Sequence, residues 1–492
     1  MTSSSSGLVS RSPLRLAAQP ARVITKLFVP GQEGFELRDS RAGAVLARIL
    51  ALTDDEVQAT LDDVITRFDG RHRDLEGIFD RHARELEDRL DRDQELSEAR
   101  HLLLGATFTS EYAIEGAALC NPSMVAHPDQ SGVSAGSLRF VMSVRGIGEG
   151  HQSSIGFRTG VVDSAANITL DEPPRYAAAG AVSSAPLAAA VFRSELARIG
   201  DAGESADYVL DVLGDHFTRD ELDRRLDQLR STVRTRGHAE KTIALFAGIA
   251  DRTYAIGFNA DILLSERVLW PAMSAEAAGM EDARFVRFVD DDGSVTYYAT
   301  YTAYSGSHIS QQLLTTTDFE SFTSTPLVGF AAANKGLAIF PRRIDSRFAA
   351  MSRSDRESNT FATSDDISVW PRASPCQRPV EAWEALQLGN CGPPIETDVG
   401  WLVLTHGVGP MRTYSIGAIL LDLDDPTRIL GRLRQPLLVP DPDERDGYVP
   451  NVVYSCGALV HDDILFLPYG IGDVAIGMGT IELPRLLSAL VA

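Results

Sequence analysis

The 492-residue chain is short of several features that commonly announce a function. Cysteine is scarce. Cys120, Cys376, Cys391 and Cys456 form no CxxC pair and no Cys/His metal spacing, so neither a zinc site nor a disulfide framework is signalled. Free buried thiols in a reducing compartment are the expectation, and with them a cytoplasmic location. No apolar run reaches the roughly 18 residues a membrane-spanning helix needs. Basic residues number 46 against 68 acidic ones, a net charge of −22, which argues against a general nucleic-acid binder because such a protein displaces counterions with a basic surface. A local basic pocket for a small anion is still allowed. There is no Walker motif, no GxGxxG opening a helix, no GxSxG elbow, no HExxH and no EF-hand loop. Nucleotide-dependent chemistry, serine hydrolysis and zinc proteolysis therefore lose their sequence support, and neither a metal nor an organic cofactor is called for. Residues 1–26 are rich in Ser and Arg and lack acid, but carry no apolar h-region, so a flexible start over residues 1–30 is expected. The sequon Asn167-Ile168-Thr169 matters only in a secreted protein.

What is present is ordinary globular material: 44% hydrophobic and 23% charged residues, enough to bury a sizeable core and to exclude wholesale disorder. Residues 31–104 read as a helical N-terminal extension. Ala42, Val45, Leu46, Ile49 and Leu50 recur at helical spacing, and Thr53 with Glu56 three positions on is a capping-box signature. His72 and His82 read as surface histidines of this segment. A second helical block, about 187–252, has Thr218 and Glu221 at a helix start and Leu222, Leu226 and Leu229 on one face.

Elsewhere short apolar runs alternate with Gly, Asp, Ser and Pro, which are strand and turn signals. One layout, an apolar strand, a polar loop and a second strand, recurs five times: Phe140–Arg145, Tyr297–Tyr304, Phe348–Arg353, Trp401–His406 and Ile464–Tyr469 open the copies. The later copies are about 50–60 residues apart, a propeller-blade period. The fold expected is mainly β, a five-bladed β-propeller over residues 105–486 with N-terminal and inserted α-helical segments. Propellers leave a central channel, a natural ligand site. If the strand ends converge there, Arg145, Tyr304, Arg353, His406 and Tyr469 line it. Unrelated strand ends facing solvent are the alternative.

The strongest local cluster is Gly279-Met280-Glu281-Asp282-Ala283-Arg284, just before an apolar strand. Adjacent carboxylates followed by an arginine suit proton transfer at a glycosidic oxygen, because one carboxyl can be raised in pKa while the arginine orients the other. A surface turn closed by a salt bridge fits the same letters. Asn121-Pro122-Ser123 offers hydroxyl-binding groups on a Pro-fixed loop, Asn334-Lys335-Gly336 presents a lysine that can hold an anion, and Gly470-Ile471-Gly472-Asp473 presents a carboxylate on a Gly-spaced turn.

In this order along the chain, Asn121-Pro-Ser123, the Arg145 strand, Glu281-Asp-Ala-Arg284, Lys335 with Phe340-Pro341-Arg342, Met351-Ser-Arg353, Gly400-Trp-Leu-Val-Leu-Thr-His-Gly407, Gly417–Asp422 and Tyr469-Gly-Ile-Gly-Asp473 resemble glycoside hydrolase family 130, the β-mannoside phosphorylases and related β-mannosidases. The family fold is a five-bladed propeller. The resemblance implies Asp282 as the catalytic acid, protonating the leaving oxygen through a mannose hydroxyl. It implies Asn121, Ser123, Arg145 and Asp473 around the sugar, and Glu281 and Arg284 of the acid cluster and Tyr304 of the strand ends are expected to bind substrate with them. Lys335, Arg353 and His406 would hold phosphate, which is a co-substrate rather than a cofactor. Phosphorylases usually carry a further arginine where this chain reads His308-Ile-Ser-Gln-Gln312; either His308 or a distant arginine such as Arg158 substitutes, or phosphate binding is weakened and water becomes the nucleophile. The expected function is inverting phosphorolysis of a β-mannoside oligosaccharide or other mannosyl sugar to α-mannose 1-phosphate, without nucleic-acid or membrane partners; a homo-oligomer is compatible with these features. The alternatives are an inverting β-mannosidase, with Glu281, Glu149, Glu444 or Asp473 activating water, and a non-catalytic sugar-binding propeller.

Overall fold

The computed structural model describes residues 7–30, 41–87, 96–172, 174–232 and 236–491. It is mainly β and divides into two compact units, one of Met1–Ala18, Ala117–Pro173 and Ala179–Ala492, the other of Gln19–Gly116 with Pro174–Ala178. No helix among the described residues is long and apolar enough to cross a membrane.

The smaller unit holds the helices Arg41–Leu50, Asp54–Phe68, Leu75–Glu87 and Glu98–Thr107 and one antiparallel pair, Val23–Leu27 with Thr109–Ala113. The capping box is formed: the Glu56 backbone N–H donates to Thr53 Oγ1 (3.3 Å), and the Thr53 N–H donates to the Glu56 carboxylate (2.8 Å). Ala42, Leu86, Leu104 and Phe108 make its apolar centre. His82 departs from the surface expectation. It is buried against Thr109 Oγ1 (2.7 Å), and burial, with Arg81 adding, pushes its pKa down to about 4. Residues 31–40 and 88–95, part of the segment read as helical, lie outside the described residues.

The larger unit is built from five antiparallel meanders. Their central strands are Ser137–Ile147, Val295–Tyr304, Phe348–Ser352, Gly400–Val408 and Ile464–Ile471, each flanked by the strands before and after it in the chain. The runs of apolar letters follow from burial on both faces: every residue of Gly400–Val408 is buried. Each meander bonds to the next. Gly279 pairs with Ser153, Val328 with Val369, Asn390 Nδ2 donates to Gly336 O (2.6 Å), and Tyr414 pairs with Val452. The last returns to the first through Ser123 and Gly457. At the first junction a side chain on Gly279 would put its Cβ 2.2 Å from Ser153 Oγ, at a φ of +138°, so only glycine fits.

The helical insertion is present as Ala189–Arg198, Glu204–Leu210, Arg219–Thr232 and Arg236–Ala250. Leu222, Leu226 and Leu229 are buried in its core with Phe192, Phe246 and Val328. The chain leaves it through Tyr254–Gly257, which adds to the edge of Ser321–Pro326.

The segment read as a flexible start contains two strands. Ser10–Ala17 pairs with Ala475–Glu482 and completes the fifth meander, while Val23–Leu27 belongs to the smaller unit. The partner of the first lies more than 450 residues away, so no local pattern could show it.

Candidate active site

A cavity of about 330 Å³ opens where the meanders meet. Seven residues singled out from the sequence line it: Asn121, Arg145, Asp282, Lys335, Arg353, His406 and Asp473. They come from different meanders and their adjoining loops.

Local backbone explains how they reach it. The register of Ala118–Ala126 against Ser137–Ile147 shifts between Cys120 and Ser123, and that of Gly279–Val289 against Val295–Tyr304 shifts between Glu281 and Arg284. These are β-bulges, and the residues they displace are Asn121 (φ 46°) and Asp282 (φ 55°). Asn334, Arg356, Arg412 and Asp473 also line the cavity at positive φ. Such backbone costs about 1–3 kcal/mol per residue and persists where the surroundings over-determine it, as at binding sites.

One wall carries the carboxyls. Arg145 Nη2 donates to Glu281 Oε1 (2.6 Å), and its Nη1 lies 3.7 Å from Asp282 Oδ1. Burial pushes the Asp282 carboxyl up, but Lys335, Arg145 and Arg284 together outweigh it and hold the group below the usual carboxylate range. Asp473 goes the other way. Burial, only partly opposed by Arg145 and reinforced by Asp282, pushes it up to about 6.

The cavity is also cationic: Lys335, Arg353, Arg356 and Arg412 line it. Arg353 donates to its own turn at Arg356 O (2.7 Å) and leaves a buried Nε without a partner. Among the described residues neither Arg353, Arg356 nor Arg412 forms an ion pair with a carboxylate. His406 is buried, with Nδ1 3.1 Å from Asn390 O. It is not the cation the sequence reading counted. Burial, then Arg353 and Arg284, push its pKa well below the ordinary histidine value.

Four expected residues do not line the cavity. Ser123 Oγ is buried and accepts from the Phe285 N–H (3.0 Å), a brace between the two bulged strands. Arg284 is buried behind Asp282, donating to Asp282 O (2.9 Å) and Tyr454 Oη (2.7 Å). Glu281 is turned onto Arg145, with Lys335 Nζ at 4.0 Å. Tyr304 donates to Gly306 O (2.7 Å) in its own turn. It pairs with Gly279, beyond the Glu281–Thr302 pair, so the strand overshoots the level of the acid. Tyr469 is likewise absent; its hydroxyl donates to the buried Glu444 (3.0 Å). His308 is exposed beside Ser307, and Arg158 is buried and bonded to Phe157 O, so neither replaces the missing arginine.

That stretch instead contributes Gln311. Its Nε2 donates to Ala332 O (2.9 Å) and its Oε1 accepts from the Leu337 N–H (3.0 Å), clamping both ends of the loop that bears Asn334 and Lys335. Sequence reasoning also missed Asn334, Arg356, Gln387, Arg412, Tyr414 and Tyr454. Positive φ at Asn334 had a signal in its Asn-Lys-Gly turn; the two arginines had none. No group of three His, Cys, Asp or Glu suited to a metal ion occurs among the described residues. Burial pushes the Cys391 thiol up to about 12 and raises Cys120 well above its usual value, so these thiols are protonated and inert.

Carboxyls and arginines without a carboxylate partner, lining one space of sugar size, are the equipment of an enzyme that breaks glycosidic bonds with the help of an anion. The model of the β-1,4-mannooligosaccharide phosphorylase family, glycoside hydrolase family 130, matches residues 230–491, and the chain belongs to that family. A 1,2-β-oligomannan phosphorylase of Thermoanaerobacter sp. is 32% identical over 224 residues, 45% of this chain and 74% of that protein. A β-1,2-mannobiose phosphorylase of Listeria innocua is 30% identical over 275 residues, 53% and 73% respectively. Among solved structures, a Listeria innocua β-1,2-mannobiose phosphorylase in complex with β-1,2-mannobiose aligns with a TM-score of 0.44 at 20% identity, over 77% of this chain and 93% of that one.

Proposed function

We propose that the chain is an inverting β-mannoside phosphorylase that transfers a mannosyl group from a β-mannoside to inorganic phosphate. Family membership and the phosphorylase relatives support the reaction class. The observation that carries the nucleophile is the set of cations Lys335, Arg353, Arg356 and Arg412 in the cavity, whose three arginines have no carboxylate partner among the described residues. A phosphate oxygen held there attacks the anomeric carbon. The C1–O bond to the leaving sugar breaks as the new C1–O–P bond forms on the other face, giving α-mannose 1-phosphate. Asp282 supplies the proton that the leaving oxygen takes up, through a mannose hydroxyl, and regains it from the phosphate proton released with product. Hydrogenphosphate and mannoside thus become mannose 1-phosphate dianion and a free hydroxyl, with no net proton change. Asn121, Arg145 and Asp473 hold the mannose; Ser123, Glu281 and Arg284 position the groups that touch it.

The hydrolase alternative needs a second carboxylate aimed at water. Glu281 is committed to Arg145, Glu444 to Tyr469 and Arg11, and Glu149 does not line the cavity. Asp473 sits close enough to Asp282 for each charge to disfavour the other. For the scaffold we propose a five-bladed β-propeller over about residues 105–486, supported by five meanders bonded in cyclic order, with the 187–252 helices inserted in it and the segment 31–104 as an appendage. Incubation with β-1,2- and β-1,4-mannobiose, with and without phosphate, tests the reaction. Mannose 1-phosphate formed only with phosphate is the expected outcome, and free mannose at an unchanged rate without phosphate refutes it.

A further inference from the structure

His406 faces the cavity with a fixed hydrogen. Its Nδ1 lies 3.1 Å from the main-chain carbonyl of Asn390. A carbonyl oxygen only accepts, so Nδ1 carries the hydrogen and donates it. In the neutral ring Nε2 is then a lone-pair acceptor, and among the described residues no protein group bonds to it. The charged groups acting on the ring are Arg353, Arg284 and, more weakly, Asp282, and the rings beside it are Tyr414 (centroids 6.0 Å, nearly parallel) and Tyr454 (4.9 Å). The ring is 2% exposed and makes no ion pair with a carboxylate. Burial beside two guanidinium groups keeps it neutral.

The position of Nε2 is built, not incidental. Gly389 lies opposite His406 in the sheet. A Cβ there would stand 2.5 Å from His406 Cε1, 3.1 Å from Nε2 and 2.8 Å from Arg353 Cδ. One glycine therefore seats the imidazole and the arginine side by side. Asn390, whose carbonyl fixes the tautomer, also donates its side-chain amide to Gly336 O (2.6 Å), next to Lys335. An acceptor is thus set rigidly among donors. An anion held here meets N–H groups from Arg353 and Lys335 at its oxygens, and a lone pair at Nε2. An oxygen without hydrogen placed against that lone pair is repelled and unsatisfied, whereas a P–OH satisfies it.

On the phosphorylase reading above, we propose that His406 Nε2 accepts a hydrogen bond from the P–OH of hydrogenphosphate, so that the site selects its anion by the hydrogen it carries. Near neutral pH phosphate and arsenate keep a hydrogen; sulfate and selenate, of similar shape and of the same charge as hydrogenphosphate, keep none.

The test uses the full chain with a β-mannobiose it cleaves. Arsenate is assayed as a replacement for phosphate, and sulfate and selenate as inhibitors competitive with phosphate. The expected result is arsenate acting within tenfold of the phosphate KM and sulfate and selenate binding tenfold or more weakly than phosphate. In His406→Gln, whose side-chain amide can turn an N–H to the anion, the gap between phosphate and sulfate should close to about threefold. Sulfate or selenate within tenfold of phosphate in the wild-type protein overturns the proposal, whether or not the variant folds. Cleavage that needs no anion at all overturns the phosphorylase reading instead.

Discussion

Replacing Asp282 by Asn should do two opposite things at once. Turnover falls by about 10²–10⁴-fold, because the amide keeps the shape but has no acidic proton to give. Phosphate binding tightens. Lys335, Arg145 and Arg284 hold the Asp282 carboxyl below the usual carboxylate range against the effect of burial, so it carries a charge near neutral pH. Its negative charge therefore opposes a second anion held by the cations of the same cavity. With acid and nucleophile on opposite faces of one sugar ring, about 7 Å apart, a dianion and a carboxylate repel by about 1 kcal/mol even at the dielectric constant of water. That floor corresponds to roughly fivefold in Kd, and the partly buried setting raises it. Titration calorimetry of phosphate into the wild type and Asp282→Asn reads the affinity, and a coupled phosphorolysis assay reads turnover. By linkage the same coupling means that phosphate, once bound, draws a proton onto Asp282, arming the acid only when the nucleophile is in place. Unchanged or weaker phosphate binding in Asp282→Asn would refute this account, since the acid would then carry no charge that the anion site feels.

Asp473→Asn should flatten the pH dependence of thermal stability. The folded-state pKa of Asp473, about 6, lies above its ordinary value of 3.8. Its contribution is therefore fully present below about pH 4 and lost as pH rises through 6, by up to about 3 kcal/mol. Melting curves between pH 4 and 8 check it, the variant gaining on the wild type toward the alkaline end. Arg356→Gln and Arg412→Gln should each raise the KM for phosphate several-fold more than that for the mannoside and reduce its dependence on ionic strength, because both side chains are exposed cations on a chain of net charge −22. Gln311→Ala should raise the phosphate KM while sparing the mannoside KM, since the glutamine touches the Lys335 loop rather than the ligand. Glu115→Ala should destabilise the smaller unit by about 3–5 kcal/mol, because it removes the carboxylate from a buried ion pair; Arg22 Nη1 and Glu115 Oε1 are 2.7 Å apart, and both side chains are almost fully buried.

The repeat was legible because burial on both faces writes itself as uninterrupted apolar letters, as in Trp401-Leu-Val-Leu404. The place of Asp282 in the cavity was legible because a carboxylate pair followed by arginine stands out at a strand start, and the bulge there uses Asp, a residue that tolerates left-handed backbone. The strand end misled at the neighbouring meander, where Tyr304 closes the strand two residues past the Glu281–Thr302 pair and does not line the cavity. The N-terminal strand was illegible for a different reason: its fit depends on an edge supplied by Ala475–Glu482. Arg356 and Arg412 were hidden because an arginine in a polar turn usually faces water, and only the left-handed backbone beneath each turns it to the cavity. The charge state of His406 was hidden too, since it depends on neighbours drawn from three separate stretches of chain.

These misreadings bear on the choice of nucleophile. From sequence, the case for phosphate rested on Lys335, Arg353 and His406 as three cations, weakened by the arginine absent from His308–Gln312. The folded chain removes His406 from that list and adds Arg356 and Arg412, so the set of cations has gained charge overall. Counting only groups in the cavity or directly behind it, Arg145, Arg284, Lys335, Arg353, Arg356 and Arg412 face Glu281, Asp282 and Asp473. A water-using enzyme would have no counter-charge for that excess, and the same cations would depress the base it needs. Hydrogenphosphate supplies the missing charge and, on binding, lets Asp282 recover its proton. The neutral His406 then has a use that a third cation would not: it leaves one acceptor in a ring of donors, where the hydrogen of the incoming anion can be recognised.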